Sequence, residues 1–189
     1  PVIVGGFETA SYTHDAQIVL YQGPDENFQG RELLFGSNSD GGENNKIVII
    51  DVTDKENPEW LSSISYENSG YTHQGFLSED QRYFLLGDEL DEINYGAPTS
   101  TRIFDLTDLL LPKFHLNYSA QTNAIDHNGY AKGNQFFIAS YTAGLRVLDL
   151  SGIEEKQVEE IGFFDSYPSD NNTKFAGAWN VYPYFESGV

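Results

Sequence analysis

Apolar residues in this chain come in short runs, and no segment carries a long 3.6-residue apolar period. Three runs resemble one another: Ile47-Val48-Ile49-Ile50-Asp51-Val52-Thr53-Asp54, Arg102-Ile103-Phe104-Asp105-Leu106-Thr107-Asp108 and Leu145-Arg146-Val147-Leu148-Asp149-Leu150-Ser151. Each ends in Asp, one apolar residue and a hydroxyl residue, and the first two continue to Pro58 and Pro112. Runs of this length closed by turn residues predict buried strands. Asp51, Asp105 and Asp149 then read as turn formers whose carboxylates accept backbone N–H groups.

Two further phrases recur in step with the first. Tyr12-Thr13-His14-Asp15, Tyr71-Thr72-His73-Gln74 and Ile125-Asp126-His127-Asn128 precede the runs, and Gly177-Ala178-Trp179-Asn180 reads as a decayed fourth copy. The intervals His14 to His73, His73 to His127 and His127 to Trp179 are 59, 54 and 52 residues. Between the two phrases lie Arg31 to Gly36, Arg82 to Gly87 and Gln135 to Ser140. A last strand follows in each unit, at Trp60 to Tyr66, Phe114 to Tyr118 and Val158 to Phe164. Only Ile153 to Glu160 leaves room for a helical turn.

Four strands repeated at this period predict an all-β fold, a β-propeller-like array of four-stranded antiparallel blades. The units fall at 13–70, 71–124 and 125–176. Residues 1–12 read as the end of a preceding blade, with Pro1 to Val4 a strand under way, and 177–189 as the start of a further one. The chain is therefore expected to be a fragment of one propeller-like repeat region, with its remaining blades on missing sequence or on another chain. Length varies between the second and third strands, at Ser37 to Lys46, Asp88 to Thr101 and Tyr141 to Gly144, where connections tolerate insertion. The first unit carries an added loop, Tyr21 to Gly30.

Composition narrows the function. Among 189 residues, 29 are acidic and 10 basic, a formal charge of −19 that repels phosphate backbones and argues against nucleic-acid binding. No run approaches the roughly 20 apolar residues of a membrane span. The absence of Cys excludes disulfides, thiol nucleophiles and thiolate-bound metals. Neither a nucleophile elbow nor a phosphate-binding glycine loop nor a dinucleotide fingerprint is present.

The phrase Ile47 to Asp54, running on to Asn57-Pro58, resembles the LVIVD repeat of bacterial and archaeal surface proteins. The wider pattern resembles the choice-of-anchor B family: Tyr12 to Asp15, Tyr71 to Gly75, Asp88 to Glu92, Asp126 to Asn128, Tyr141 to Asp149 and Ala178 to Tyr184. The resemblance implies a secreted or cell-surface protein, on the exterior of a bacterial envelope, with a propeller-like repeat region. It implies no catalytic residue set.

Equivalent positions in successive blades converge on one axis, so His14, His73 and His127 are candidates for a channel metal site, with Asp15 and Asp126 beside them. The alternative is structural: imidazoles that share a location and bond backbone or a carboxylate across blades. Asp88, Glu89, Asp91 and Glu92, and in the corresponding loop Asp40 and Glu43, are candidate calcium ligands, against a reading as solvated acidic loops. Tyr12, Tyr71, Tyr95 and Tyr141 are candidate contacts for a protein or glycan ligand at a loop face. Two functions stand at this point. One is a surface binding or scaffold module without an identifiable reaction, with calcium as its expected cofactor. The other is an enzyme using a transition metal at a His-lined site in the channel.

Overall fold

The computed structural model describes residues 2–8, 11–40 and 44–187. Among these residues the strands are β1 (Thr13–Leu20), β2 (Glu32–Asn38), β3 (Lys46–Asp51), β4 (Glu59–Ile64), β5 (Thr72–Leu77), β6 (Tyr83–Asp88), β7 (Ser100–Asp105), β8 (Lys113–Ser119), β9 (Gly129–Lys132), β10 (Gln135–Ser140), β11 (Gly144–Asp149) and β12 (Glu159–Phe164). They form three four-stranded antiparallel sheets in simple sequence order, β1–β4, β5–β8 and β9–β12. The three matching runs are β3, β7 and β11, each third in its sheet.

The continuous apolar runs follow from burial on both faces of a strand. In the middle sheet, Phe84, Leu86 and Phe104 pack toward the first sheet, with Leu33, Phe35, Ile47 and Ile49. Their neighbours Tyr83, Leu85 and Ile103 pack toward the third, with Phe136, Ile138 and Leu148. Every residue of β6 is therefore buried. The first strand of the first sheet alternates instead, with Ile18 and Leu20 exposed. Fourth strands β8 and β12 are mostly exposed and β4 half so.

The turn reading of the repeated aspartates matches the geometry. Asp51 Oδ1 accepts the Thr53 N–H (2.9 Å), Asp105 Oδ1 that of Thr107 (2.8 Å) and Asp149 Oδ1 that of Ser151 (2.9 Å). Arg31 and Arg82 brace the first two, at 2.7 and 3.3 Å. A bulge recurs between the third and fourth strands of all three sheets, at Leu61, His115 and Ile161. The His115 bulge carries its Nε2 to the Ile153 carbonyl of the next unit (2.6 Å).

Two expectations are corrected, the strand at the start of the chain and the helical turn after Ile153. Residues 2–8 form no strand; Phe7 instead stacks on Trp60 and covers Val48 and Ile50. Pro1 lies outside the described residues. Residues 181–187 likewise form no strand, although Tyr182 and Tyr184 pack on Tyr130 of β9. The one short helix among the described residues is α1 (Asp91–Tyr95), in the β6–β7 connection, whereas the segment after Ile153 is a turn leading into β12. The Tyr21–Gly30 loop is a plug: Tyr21 is fully buried, Phe28 nearly so, and Asp25 Oδ2 accepts the Leu109 N–H of the second unit (3.0 Å).

First strands β1, β5 and β9 lie side by side at the junctions, but side chains rather than a backbone ladder join them. Gln17 Oε1 accepts the Leu77 N–H (2.8 Å). Gln74 Nε2 donates to the Gly129 carbonyl (3.0 Å) while its Oε1 accepts the Gly129 N–H (2.9 Å). Replacing Gln74 by Leu removes both bonds and strands a buried donor and acceptor, each costing about 1–3 kcal/mol. Gln74→Leu is expected to lower the unfolding free energy by about 2–4 kcal/mol in a urea titration. A change within experimental error would mean that this bridge does not hold the second and third sheets.

Candidate functional site

Bulges aim two of the repeated histidines. Thr13 pairs with Asn38 and Asp15 with Ser37, leaving His14 as the extra residue of β1. Thr72 pairs with Asp88 and Gln74 with Gly87, leaving His73 as the extra residue of β5. A bulge turns its side chain out of the alternation of the sheet. His127 sits just before β9, donating its backbone N–H to Ala139 (2.9 Å).

The three imidazoles stand in a row, with ring centroids 4.3 Å apart for His14 and His73 and 4.2 Å for His73 and His127. His14 Nδ1 lies 3.0 Å from the His73 carbonyl, and His127 Nδ1 lies 2.6 Å from that of Trp179. A carbonyl only accepts, so in both rings Nδ1 carries the proton and donates. The two bonds repeat one relation, each imidazole reaching the equivalent residue of the following unit. Trp179 thus occupies the place of a fourth histidine. Its indole Nε1–H donates to His127 Nε2 (2.7 Å), which leaves that ring neutral and satisfied at both nitrogens.

His73 breaks the pattern. Its Nδ1 is buried without a partner, and its Nε2 lies 3.6 Å from Glu89 Oε2. Glu89 Oε1 lies 3.4 Å from His127 Nε2 and accepts the Tyr141 hydroxyl (3.1 Å). Burial, and then the neighbouring His127 and His14, push His73 down to about 3. Burial likewise lowers His127 and raises Glu89. Neutral imidazoles and a carboxylate suit a transition metal. One ligand atom each from His73, Glu89 and His127 lie within 4.8 Å of one another, and His14 is not among them. A metal there would have to displace the Trp179 indole from His127.

The remaining candidates divide. Tyr71 meets His14 edge-on at 5.2 Å and Tyr12 lies 6.3 Å from the same ring. Tyr141 meets His127 at 5.3 Å but is buried, so it supports the site and is not an open contact. Tyr95 is half exposed, and its hydroxyl donates to the Ser69 carbonyl (3.2 Å). Asp15 accepts the backbone N–H of Ala16 (2.8 Å). Asp126 does not orient an imidazole; it lies with Asp91 and Glu92, against Gly87. Asp40 accepts from Asn44 (2.5 Å), and Glu43 lies outside the described residues.

A solvated-loop reading fails for Asp88, Asp91 and Glu92, which are buried. Asp88 accepts the N–H groups of Gly70 (2.8 Å) and Tyr71 (2.7 Å) and the Tyr66 hydroxyl (2.7 Å), closing the entry to the second sheet. Asn45 donates to the Gly70 carbonyl (3.0 Å), so the two long connections lie at one end of the molecule. Sequence reasoning missed Arg102 and the indole of Trp179 as partners in these clusters. The visible signal for Arg102 was a cation inside an otherwise apolar run, Arg102-Ile103-Phe104 of β7.

No family model and no curated protein sequence matches this chain.

The neutral state of His73 predicts acid sensitivity. Above about pH 6.5 the ring is neutral in folded and unfolded chains alike. As pH falls from there toward about 3, the unfolded chain takes up a proton that the folded chain refuses, so stability declines. His127 acts in the same direction and the raised Glu89 in the opposite one. His73→Asn is expected to flatten the stability profile between about pH 6.5 and 4, measured by urea unfolding at stepped pH. An unchanged slope would show that His73 is protonated in the native protein.

Proposed function

We propose that this chain is part of a β-propeller on the outside of a bacterial cell, of the choice-of-anchor B type with LVIVD repeats, and that it binds neutral glycan. Three sequential four-stranded sheets with adjoining first strands support the propeller reading. So do the His14–His73 and His127–Trp179 bonds, which make the same step to the equivalent residue of a following unit. Among the described residues no helix is long and apolar enough to cross a membrane.

The observation that carries the binding reading is the rim of rings around the imidazole row. Tyr12 and Trp179, 61% and 67% exposed, flank its two ends, and Phe175, packed on Tyr141, is exposed beside them. Flat rings beside hydrogen-bonding groups suit the apolar faces and hydroxyls of sugars. A surface of formal charge −19 favours a neutral ligand over an acidic one.

A glycan panel titrated against the purified protein tests this. Saturable binding to a neutral glycan is expected, weakened about tenfold or more in Tyr12→Ala and Trp179→Ala, with the fold intact by circular dichroism. Binding to none of the panel, or binding that both variants leave intact, would refute it and turn the search to a protein ligand.

The close group His73, Glu89 and His127 favours a second reading, a transition-metal centre. Elemental analysis of untagged protein decides it. About one zinc or copper per chain, lost in His73→Asn, would make this the leading function; metal well below stoichiometry would exclude it.

A further inference from the structure

Behind the imidazole row lies a second cluster, closed from solvent and made wholly of oxygen. Asp91 and Glu92 begin α1 in the β6–β7 connection, and Asp126 comes from the entry to the third sheet. Their relative exposures are 0, 3 and 2%. One carboxylate oxygen from each lies within 4.8 Å of the others. Asp91 Oδ1, both oxygens of Glu92 and Asp126 Oδ1 are buried with no hydrogen-bond partner. Gly87 underlies the cluster: a Cβ there would come within 2.4 Å of Asp126 Oδ2.

The nearby cation does not satisfy this group. Arg102 Nη2 bonds Asp91 Oδ2 (2.8 Å), and its guanidinium lies 4.8 Å from the centre of the Tyr66 ring. Its Nη1 meets no acceptor, so the unpartnered oxygens of Glu92 and Asp126 receive no hydrogen bond from it. Three carboxylates against one guanidinium leave two negative charges uncompensated in a dry site, an arrangement several kcal/mol too costly to persist. The excess is removed either by protons or by a divalent cation.

We propose that Asp91, Glu92 and Asp126 hold a calcium ion that joins the second and third sheets. Unpaired hard oxygens aimed at one another are what calcium requires, and without nitrogen or sulfur the set does not suit zinc or copper. Magnesium retains water and demands regular octahedral geometry, which a buried set drawn from two distant segments does not offer. The ion sits between a turn of helix in one unit and the strand entrance of the next, so it acts as a cross-link at a place where no backbone ladder joins them. Without the ion, protons must neutralise the group. Burial, followed by the charges of Asp126 and Asp91, pushes Glu92 up to about 11, and Asp126 is raised in the same way.

Calorimetric titration of the chelator-treated protein with calcium chloride at pH 7 tests this with the wild type alone. Expected are about one site per chain and a melting temperature several degrees higher in millimolar calcium than in chelator. Glu92→Gln and Asp126→Asn should each abolish the calcium-dependent part of the rise. Sodium chloride at matched ionic strength should not reproduce it. Absence of any calcium effect would overturn the proposal and leave a proton-sharing acid cluster. Calcium binding undiminished in both variants would overturn it equally by placing the ion on exposed carboxylates.

Discussion

Double-sided burial of the middle sheet is the constraint on which the rest depends. Its second and third strands present Phe84, Leu86 and Phe104 to one neighbour and Tyr83, Leu85 and Ile103 to the other. Neither apolar layer closes without a sheet on each side, so the three sheets cohere as one stack. The order of the strands then brings every first strand to the same side. Backbone groups at those junctions meet across a gap too irregular for a ladder, and side chains must complete the bonds.

Gln74, the imidazole row and the buried carboxylates are three answers to that requirement. Gln74 satisfies a donor and an acceptor of Gly129 at once. His14 and His127 each pass one N–H to the following unit, and burial keeps His73 and His127 neutral, because charging them there would cost more than a bond returns. The carboxylates at Asp91, Glu92 and Asp126 are the one answer that is incomplete with the chain alone. The exposed rings of Tyr12, Trp179 and Phe175 are held on this framework at the same end of the molecule.

Much of this was legible in the chain. The Asp-apolar-hydroxyl endings marked the turns because an Asp carboxylate bonds the N–H two residues on, a purely local relation. The histidine phrases marked the period. The short helix at Asp91–Tyr95 was hidden because five residues show no periodicity, and its acidic start resembled a solvated loop. The Tyr21–Gly30 plug was hidden for a related reason: its Gly, Pro and Asp content signals a turn, and nothing local says that Tyr21 is swallowed by the neighbouring core. The early residues Val2 to Val4 read as a strand on apolarity alone, yet strands need a partner for their backbone groups.

By itself the sequence determined strand type, strand count per unit, turn chemistry and the equivalence of His14, His73 and His127, because each depends on residues close along the chain or on repetition. Tertiary structure alone decided which of those residues meet. It set His73 and His127 against Glu89, placed Trp179 on the nitrogen of His127, and moved Asp126 away from the imidazoles into the company of Asp91 and Glu92. The physical reason is that these partners lie 16 to 52 positions apart and are joined by strand pairing within a sheet and by the packing of one sheet on the next; their meeting depends on bulges and crossing geometry that no local pattern encodes.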